Sequence, residues 1–149
     1  MAVSTGGGLG YELMHAAQTW RTEASAVLKQ YSLTVPQFLV LMALYRQARH
    51  DWPGLSQAEV SARLAMDANT TSQIARGLEQ RGILAREPHP TDARARALTL
   101  TASGLELAGR ASATARAYND RYFSVVSADE RAALSHILTT LSTESEKRS

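Results

Sequence analysis

Between Ile83 and Leu100 the spacing of apolar residues switches from helical to alternating, and then switches back. Ile83-Leu-Ala-Arg-Glu87 reads as a short strand and Arg96-Ala-Leu98-Thr-Leu100 as the strand that returns. His89-Pro-Thr-Asp92-Ala-Arg94 lies between them as a polar turn. Alternation occurs in no other stretch. The chain is therefore restricted to a mainly α fold with one small β-hairpin.

The helices around the hairpin have legible starts. Thr34-Val-Pro-Gln37, Ser56-Gln-Ala-Glu59 and Ser127-Ala-Asp-Glu130 are capping boxes, in which residues three apart satisfy each other's orphan N–H groups. Pro36 fits the first turn, where a missing N–H costs nothing. Asp67 is the expected N-cap of a helix over Ala68–Gln80, and Gly82 ends it as a left-handed residue. The other expected helices are Tyr11–Gln30, Val35–Arg46, a short one through Leu64, Thr101–Val125, and a last one carrying Leu134, Ile137, Leu138 and Leu141. On the Thr101–Val125 helix, Leu105, Ala108, Ala111, Ala115, Tyr118 and Tyr122 share one side. The short helix is expected to bury Val60 and Leu64. Met1–Gly10, with three successive glycines, reads as a flexible tail, Pro53-Gly54 as a turn, and Thr143–Ser149 as frayed.

The length of 149 residues fits one domain, or one domain plus an appended oligomerisation element. It has no cysteine, which excludes disulfides, Cys-ligated metals and thiol chemistry. No apolar run reaches the ~18 residues of a membrane span, and the N-terminus lacks the pattern of a secretory signal. A cytoplasmic protein without membrane contact is expected. His15, His50, His89 and His136 are scattered, so no metal and no cofactor is expected. Nor is there a nucleophile elbow or a Gly-rich phosphate loop, and an enzyme is not expected.

Charge is unevenly placed. Residues 1–62 carry four bases and four acids, and residues 97–149 six of each. Residues 63–96 carry six arginines (Arg63, Arg76, Arg81, Arg86, Arg94, Arg96) against four acids. The whole surplus of +2 falls there. Arginine's planar fork suits phosphates and base edges, although so small a surplus also fits a solvated face.

The Ala68–Gln80 helix is split lengthwise. Thr71, Ile74, Ala75 and Leu78 form one stripe, and Asn69, Ser72, Gln73 and Arg76 the opposite one, with Thr70 beside it. The second stripe holds hydrogen-bonding groups and one arginine but no acid, as a helix reading the DNA major groove requires. With the preceding short helix it makes a helix-turn-helix; the same pair would also serve as a plain helical hairpin. The hairpin that follows, with Arg94 and Arg96 near its tip, makes a winged helix-turn-helix the better reading. A guanidinium there can enter the minor groove. Asp92 is expected to hold an arginine by a bidentate pair.

Residues 33–104 resemble the MarR family of bacterial winged-helix regulators. The matching stretches are Leu33-Thr-Val-Pro-Gln-Phe-Leu-Val-Leu, Leu55-Ser-Gln-Ala-Glu-Val, Gly77-Leu-Glu-Gln-Arg-Gly82-Ile-Leu, and Pro90-Thr-Asp92-Ala-Arg94 followed by Leu98-Thr-Leu-Thr101-Ala-Ser-Gly104. The resemblance implies an obligate homodimer that binds a pseudo-palindromic double-stranded DNA operator as a regulator, most often a repressor. It places Ala68–Gln80 as the recognition helix, Asp92, Arg94 and Arg96 in the wing, and Ser56, Gln57 and Arg86 near phosphates. It also implies release by a small aromatic or phenolic effector. Trp20, Phe38, Met42, Tyr45, Tyr118 and Tyr122 are the candidate pocket, with Arg21 and His15 for an anionic group.

The implied organisation is a tail (1–10), an N-terminal dimerisation helix (11–32), a winged helix-turn-helix lobe (33–101) and C-terminal dimerisation helices (102–149). Independently, Leu13, Ala17, Leu134, Ile137, Leu138 and Leu141 lie on terminal stripes that one small core has trouble covering. The rival reading is a helical protein-interaction module without DNA binding.

Overall fold

The computed structural model describes residues 7–52 and 54–148. Among them are α1 (Gly8–Leu28), extended by a single 3-10 turn (Lys29–Tyr31), then α2 (Val35–Gln47), β1 (Leu55–Ser56), α3 (Gln57–Leu64) and α4 (Ala68–Gln80). The hairpin strands β2 (Leu84–Pro88) and β3 (Arg96–Leu100) come next, then α5 (Ala102–Tyr122), a 3-10 turn (Phe123–Val125) and α6 (Ala128–Glu146). The chain is mainly helical with one small antiparallel sheet. No single helix among the described residues is long and apolar enough to cross a membrane.

The local signals act as read. All three capping boxes form: the hydroxyls of Thr34, Ser56 and Ser127 accept from the N–H of Gln37, Glu59 and Glu130, whose side chains bond back. Each such cap contributes about 1 kcal/mol. Gly82 takes φ +72, which lets the Ile83 N–H return to the Leu78 carbonyl (3.0 Å) and the Gly82 N–H to Glu79 (2.9 Å). That double bond closes the end of α4.

Residues 1–115 form one compact unit and residues 116–149 a second. The first is built on Val40, Leu41 and Leu44 of α2, Val60 of α3, Ala75 and Leu78 of α4, and Leu55 and Leu98 of the sheet, all buried. The sheet has the order β1-β3-β2, with Leu55 opposite Leu98 and Leu84 opposite Leu100. The third strand, β1, lies outside the expected single hairpin. Two residues are too short to show alternation, and only pairing with β3 makes them a strand.

Other expectations need correction. Gly8–Gly10, read as tail, form the first turn of α1, while residues 1–6 lie outside the described residues, as does Pro53 of the expected turn. Thr143–Glu146 continue α6 instead of fraying. No glycine or proline stops the helix, and the Thr143 hydroxyl bonds the Thr139 carbonyl one turn back (3.0 Å); Ser149 is outside the described residues. Leu64 is only half-buried, and Leu105 is 41% exposed although Ala108 and Ala111 on its stripe are buried.

The start of α5 explains the Thr101-x-x-Gly104 spacing. Thr101 donates its hydroxyl to the Gly82 carbonyl (2.6 Å) and accepts from the Gly104 N–H (3.1 Å). Gly104 lies so near the chain that a Cβ would collide with the Ile83 carbonyl oxygen. That neighbour is backbone and cannot swing aside. Gly104→Ala should therefore destabilise the fold by about 1–3 kcal/mol, read as a lower urea midpoint at unchanged slope. An unchanged midpoint would mean that α5 can shift freely at this end.

In the second unit, every residue of α6 is exposed, including Leu134 (39%), Ile137 (52%), Leu138 (39%) and Leu141 (52%).

Candidate nucleic-acid interface

The two stripes of α4 separate as the spacing predicts. Thr71, Ala75 and Leu78 are buried and Ile74 is half-buried, while Asn69, Gln73 and Arg76 are exposed. Ser72 is half-buried and accepts from the Arg76 guanidinium one turn on (3.2 Å), so Arg76 lies along the helix surface. Thr70, half-buried like Ser72, is engaged at the helix start. Its N–H and hydroxyl both donate to the Asp67 carboxylate (2.8 and 2.6 Å), completing the N-cap. Those bonds, the hydroxyl's first, hold the Asp67 carboxyl below its ordinary value and keep the cap ionised.

Behind the exposed stripe, Thr71 is not simply apolar filling. It accepts from the Ser61 hydroxyl (2.8 Å) and donates to the Asp67 carbonyl (3.0 Å). This relay fixes α3 against α4. Its only trace in the sequence was a hydroxyl on the buried face.

The wing is organised by its backbone. Asp92 accepts from the backbone N–H of Arg94 (2.9 Å), and among the described residues it makes no ion pair with an arginine. This overturns the expected bidentate pair. A short carboxylate two residues before an N–H closes a local turn more readily than it reaches a guanidinium. His89 acts in the same sense, its Nδ1 accepting from the N–H groups of Thr91 (3.3 Å) and Asp92 (3.2 Å). The imidazole meets the edge of Trp52 and lies 3.9 Å from Glu59.

The six arginines of the basic segment have different fates. Arg86 donates Nε to Glu79 (2.9 Å) and Nη1 to Gln57 (2.7 Å), which ties β2 to both helices of the helix-turn-helix. Arg86 is therefore a clamp and not a free phosphate ligand, because the nearby Glu79 offers its fork a fixed partner. Arg96 is bent back onto the Arg86 carbonyl (3.2 Å) and does not extend from the tip. Arg63 donates to Gln47 (3.2 Å), and Arg81 to the Ser32 and Tyr31 carbonyls. Among the described residues, Arg94 alone of the six makes no side-chain hydrogen bond or ion pair, and it is exposed.

Ser56 and Gln57, at the start of α3, are both partly engaged. The Ser56 oxygen accepts within its capping box and the Gln57 Oε1 accepts from Arg86. The Ser56 hydroxyl proton and the Gln57 amide N–H groups remain as donors beside the helix N-terminus.

The candidate pocket residues are divided between the two units. Met42 is buried, and Trp20, Phe38 and Tyr45 are half-buried on α1 and α2. Arg49 lies over the Tyr45 ring (5.5 Å). Tyr118 belongs to the other unit, where it is buried and packs on Tyr122 (5.8 Å). A groove of about 450 Å³ within the second unit is lined by Asn119, Asp120, Phe123, Arg131, Leu134, Ser135 and Leu138, and by none of the six pocket candidates. Leu13 and Ala17 on α1 are exposed, as are His15 and Arg21.

The sequence profile of the MarR family matches residues 31–95. The chain is 32% identical over 136 residues to the HTH-type transcriptional repressor Rv2887 of Mycobacterium tuberculosis, covering 91% of this chain and 94% of that one. Among solved structures it is similar to Bordetella bronchiseptica BpsR, whose DNA binding is regulated by 6-hydroxynicotinic acid. The TM-score is 0.82 at 26% identity, over 95% of this chain and 98% of that one. Staphylococcus aureus MepR, solved with DNA, shares the fold with a TM-score of 0.79 at 23% identity, over 90% and 95% of the two chains.

Proposed function

Because the chain belongs to the MarR family of winged-helix transcriptional regulators, we propose that it acts as a homodimeric repressor of a pseudo-palindromic operator. The observation that carries this is the exposed, acid-free stripe of Asn69, Gln73 and Arg76 on α4, with Arg94 free on the wing of the same unit. Asn and Gln can pair with adenine and Arg with guanine in the major groove. Arg94 would enter the adjacent minor groove, where negative potential is concentrated. The Ser56 hydroxyl and the Gln57 amide would donate to phosphates. In this reading, Arg86 keeps the wing and α4 at a fixed angle.

Residues 33–101 form the DNA-binding lobe. The exposed faces of α1 and α6, carrying Leu13, Ala17, Leu134, Ile137, Leu138 and Leu141, meet those of a second copy. Two-fold symmetry then sets the recognition helices about one DNA turn, ~34 Å, apart. BpsR's response to 6-hydroxynicotinic acid supports a small aromatic effector here as well. Trp20, Phe38, Met42 and Tyr45 are its proposed contacts. Such a ligand regulates only if it binds the DNA-incompetent arrangement better than the competent one.

Selection from random duplex DNA tests the core of the proposal. The expected product is a dyad motif with half-sites one turn apart, bound with an affinity that falls steeply as salt rises through counterion release. A pool that never enriches, or an affinity indifferent to salt, would remove DNA recognition and favour the protein-interaction reading.

A further inference from the structure

α4 is held at its far end by a contact that DNA reading does not use. Arg81, one residue beyond the helix, donates Nη1 to the Ser32 carbonyl (2.8 Å) and Nη2 to the Tyr31 carbonyl (3.0 Å). The two acceptors are consecutive. They belong to the 3-10 turn that ends α1 and to Ser32, whose left-handed φ of 53 turns the chain toward α2. One planar fork therefore grips two neighbouring carbonyls, which a lysine could not do.

Tyr31 carries the connection onward. Its hydroxyl lies 2.6 Å from the Thr114 hydroxyl and donates to the Arg110 carbonyl (3.3 Å), both on α5. The Arg110 guanidinium covers the Tyr31 ring, 5.7 Å from its centroid. The backbone of Tyr31 thus holds α4 while its side chain holds α5, all within residues 1–115.

We propose that Arg81 and Tyr31 are positioning residues, a strut that sets the recognition helix relative to α5. A displacement of α5 is then transmitted to the DNA-reading face through two side chains. The inference rests on the DNA-binding reading for its consequence but not for its mechanics. Neither residue touches DNA: the fork of Arg81 is occupied, and Tyr31 faces α5.

Two measurements on the full-length protein separate the ideas. The first is hydrogen exchange without DNA. Tyr31→Phe keeps the ring over Arg110 and removes only the hydroxyl bonds. It is expected to speed exchange of the amides at residues 78–83 at least tenfold, with those of α3 unchanged. Thr114→Val, which cuts the same bond from the other side, should do likewise, and Arg81→Lys should give an intermediate effect. Unchanged exchange in Tyr31→Phe and Thr114→Val overturns the strut.

The second measurement compares binding to a selected operator and to one with the half-site spacing lengthened by one base pair. Wild type is expected to discriminate at least tenfold and Tyr31→Phe threefold or less. Equal discrimination by both overturns the proposed transmission. A wild type that binds no duplex, yet shows the exchange effect in its variants, overturns the DNA reading and leaves the strut standing.

Discussion

Arg94→Ala is expected to lower affinity for a selected operator at least tenfold and to leave the oligomeric state unchanged. The substitution is clean because the wing does not depend on this side chain. The tip is shaped by Asp92 accepting the backbone N–H of residue 94, by His89 accepting the N–H groups of Thr91 and Asp92, and by the Ala95 N–H bonding the Asp92 carbonyl. All of these survive in alanine. What disappears is an exposed guanidinium with no partner of its own among the described residues. A tenfold loss is about 1.4 kcal/mol, modest for one charged groove contact. The salt dependence should also flatten by about one counterion per lost contact. Arg94→Lys keeps the charge and loses the fork, so it should fall between. Anisotropy titrations at two salt concentrations read both effects. Wild-type affinity in Arg94→Ala would take the wing out of recognition. Arg86→Ala is a poor substitute for this experiment, because removing the clamp to Glu79 and Gln57 disturbs the wing and α4 together.

Ile137→Glu is expected to have the second large effect, converting the proposed dimer to monomers. Leu134, Ile137, Leu138 and Leu141 repeat at the spacing of one helix face, and all four are exposed in the single chain. Fully burying such a side chain contributes about 1.5–3 kcal/mol, whereas a carboxylate placed in the same contact must be desolvated without a partner. The capping box of Ser127 and Glu130 lies well upstream and is untouched, so α6 keeps its local start. Sedimentation should report the monomer mass, with operator affinity at least a hundredfold lower because one half-site cannot replace two. Far-UV circular dichroism serves as the control for a melted helix. A folded variant that stays dimeric would exclude this face of α6 as the interface.

Legibility followed distance along the chain. A capping box closes within four residues, so Thr34, Ser56 and Ser127 announced helices that the fold could only confirm. The outward face of α4 was equally plain, because helical geometry alone places Asn69, Gln73 and Arg76 on one side. At Thr70 a second local demand, the cap at Asp67, takes the hydroxyl. At the wing, the expected pair between Asp92 and an arginine lost to a nearer backbone N–H. β1 left no trace, since two residues become a strand only when β3 arrives beside them.

By itself, then, the amino-acid order determined where helices begin, where the period changes, which side of α4 is polar, and that the surplus of cations lies in one segment. Folding decided which of those cations are free. A guanidinium reaches several ångströms and takes whatever fixed acceptor comes within range. Gln57 meets Arg86, and the Ser32 carbonyl meets Arg81, only after helices distant in sequence have packed. Six similar arginines became four internal ties, one laid along its own helix, and one guanidinium with no partner among the described residues.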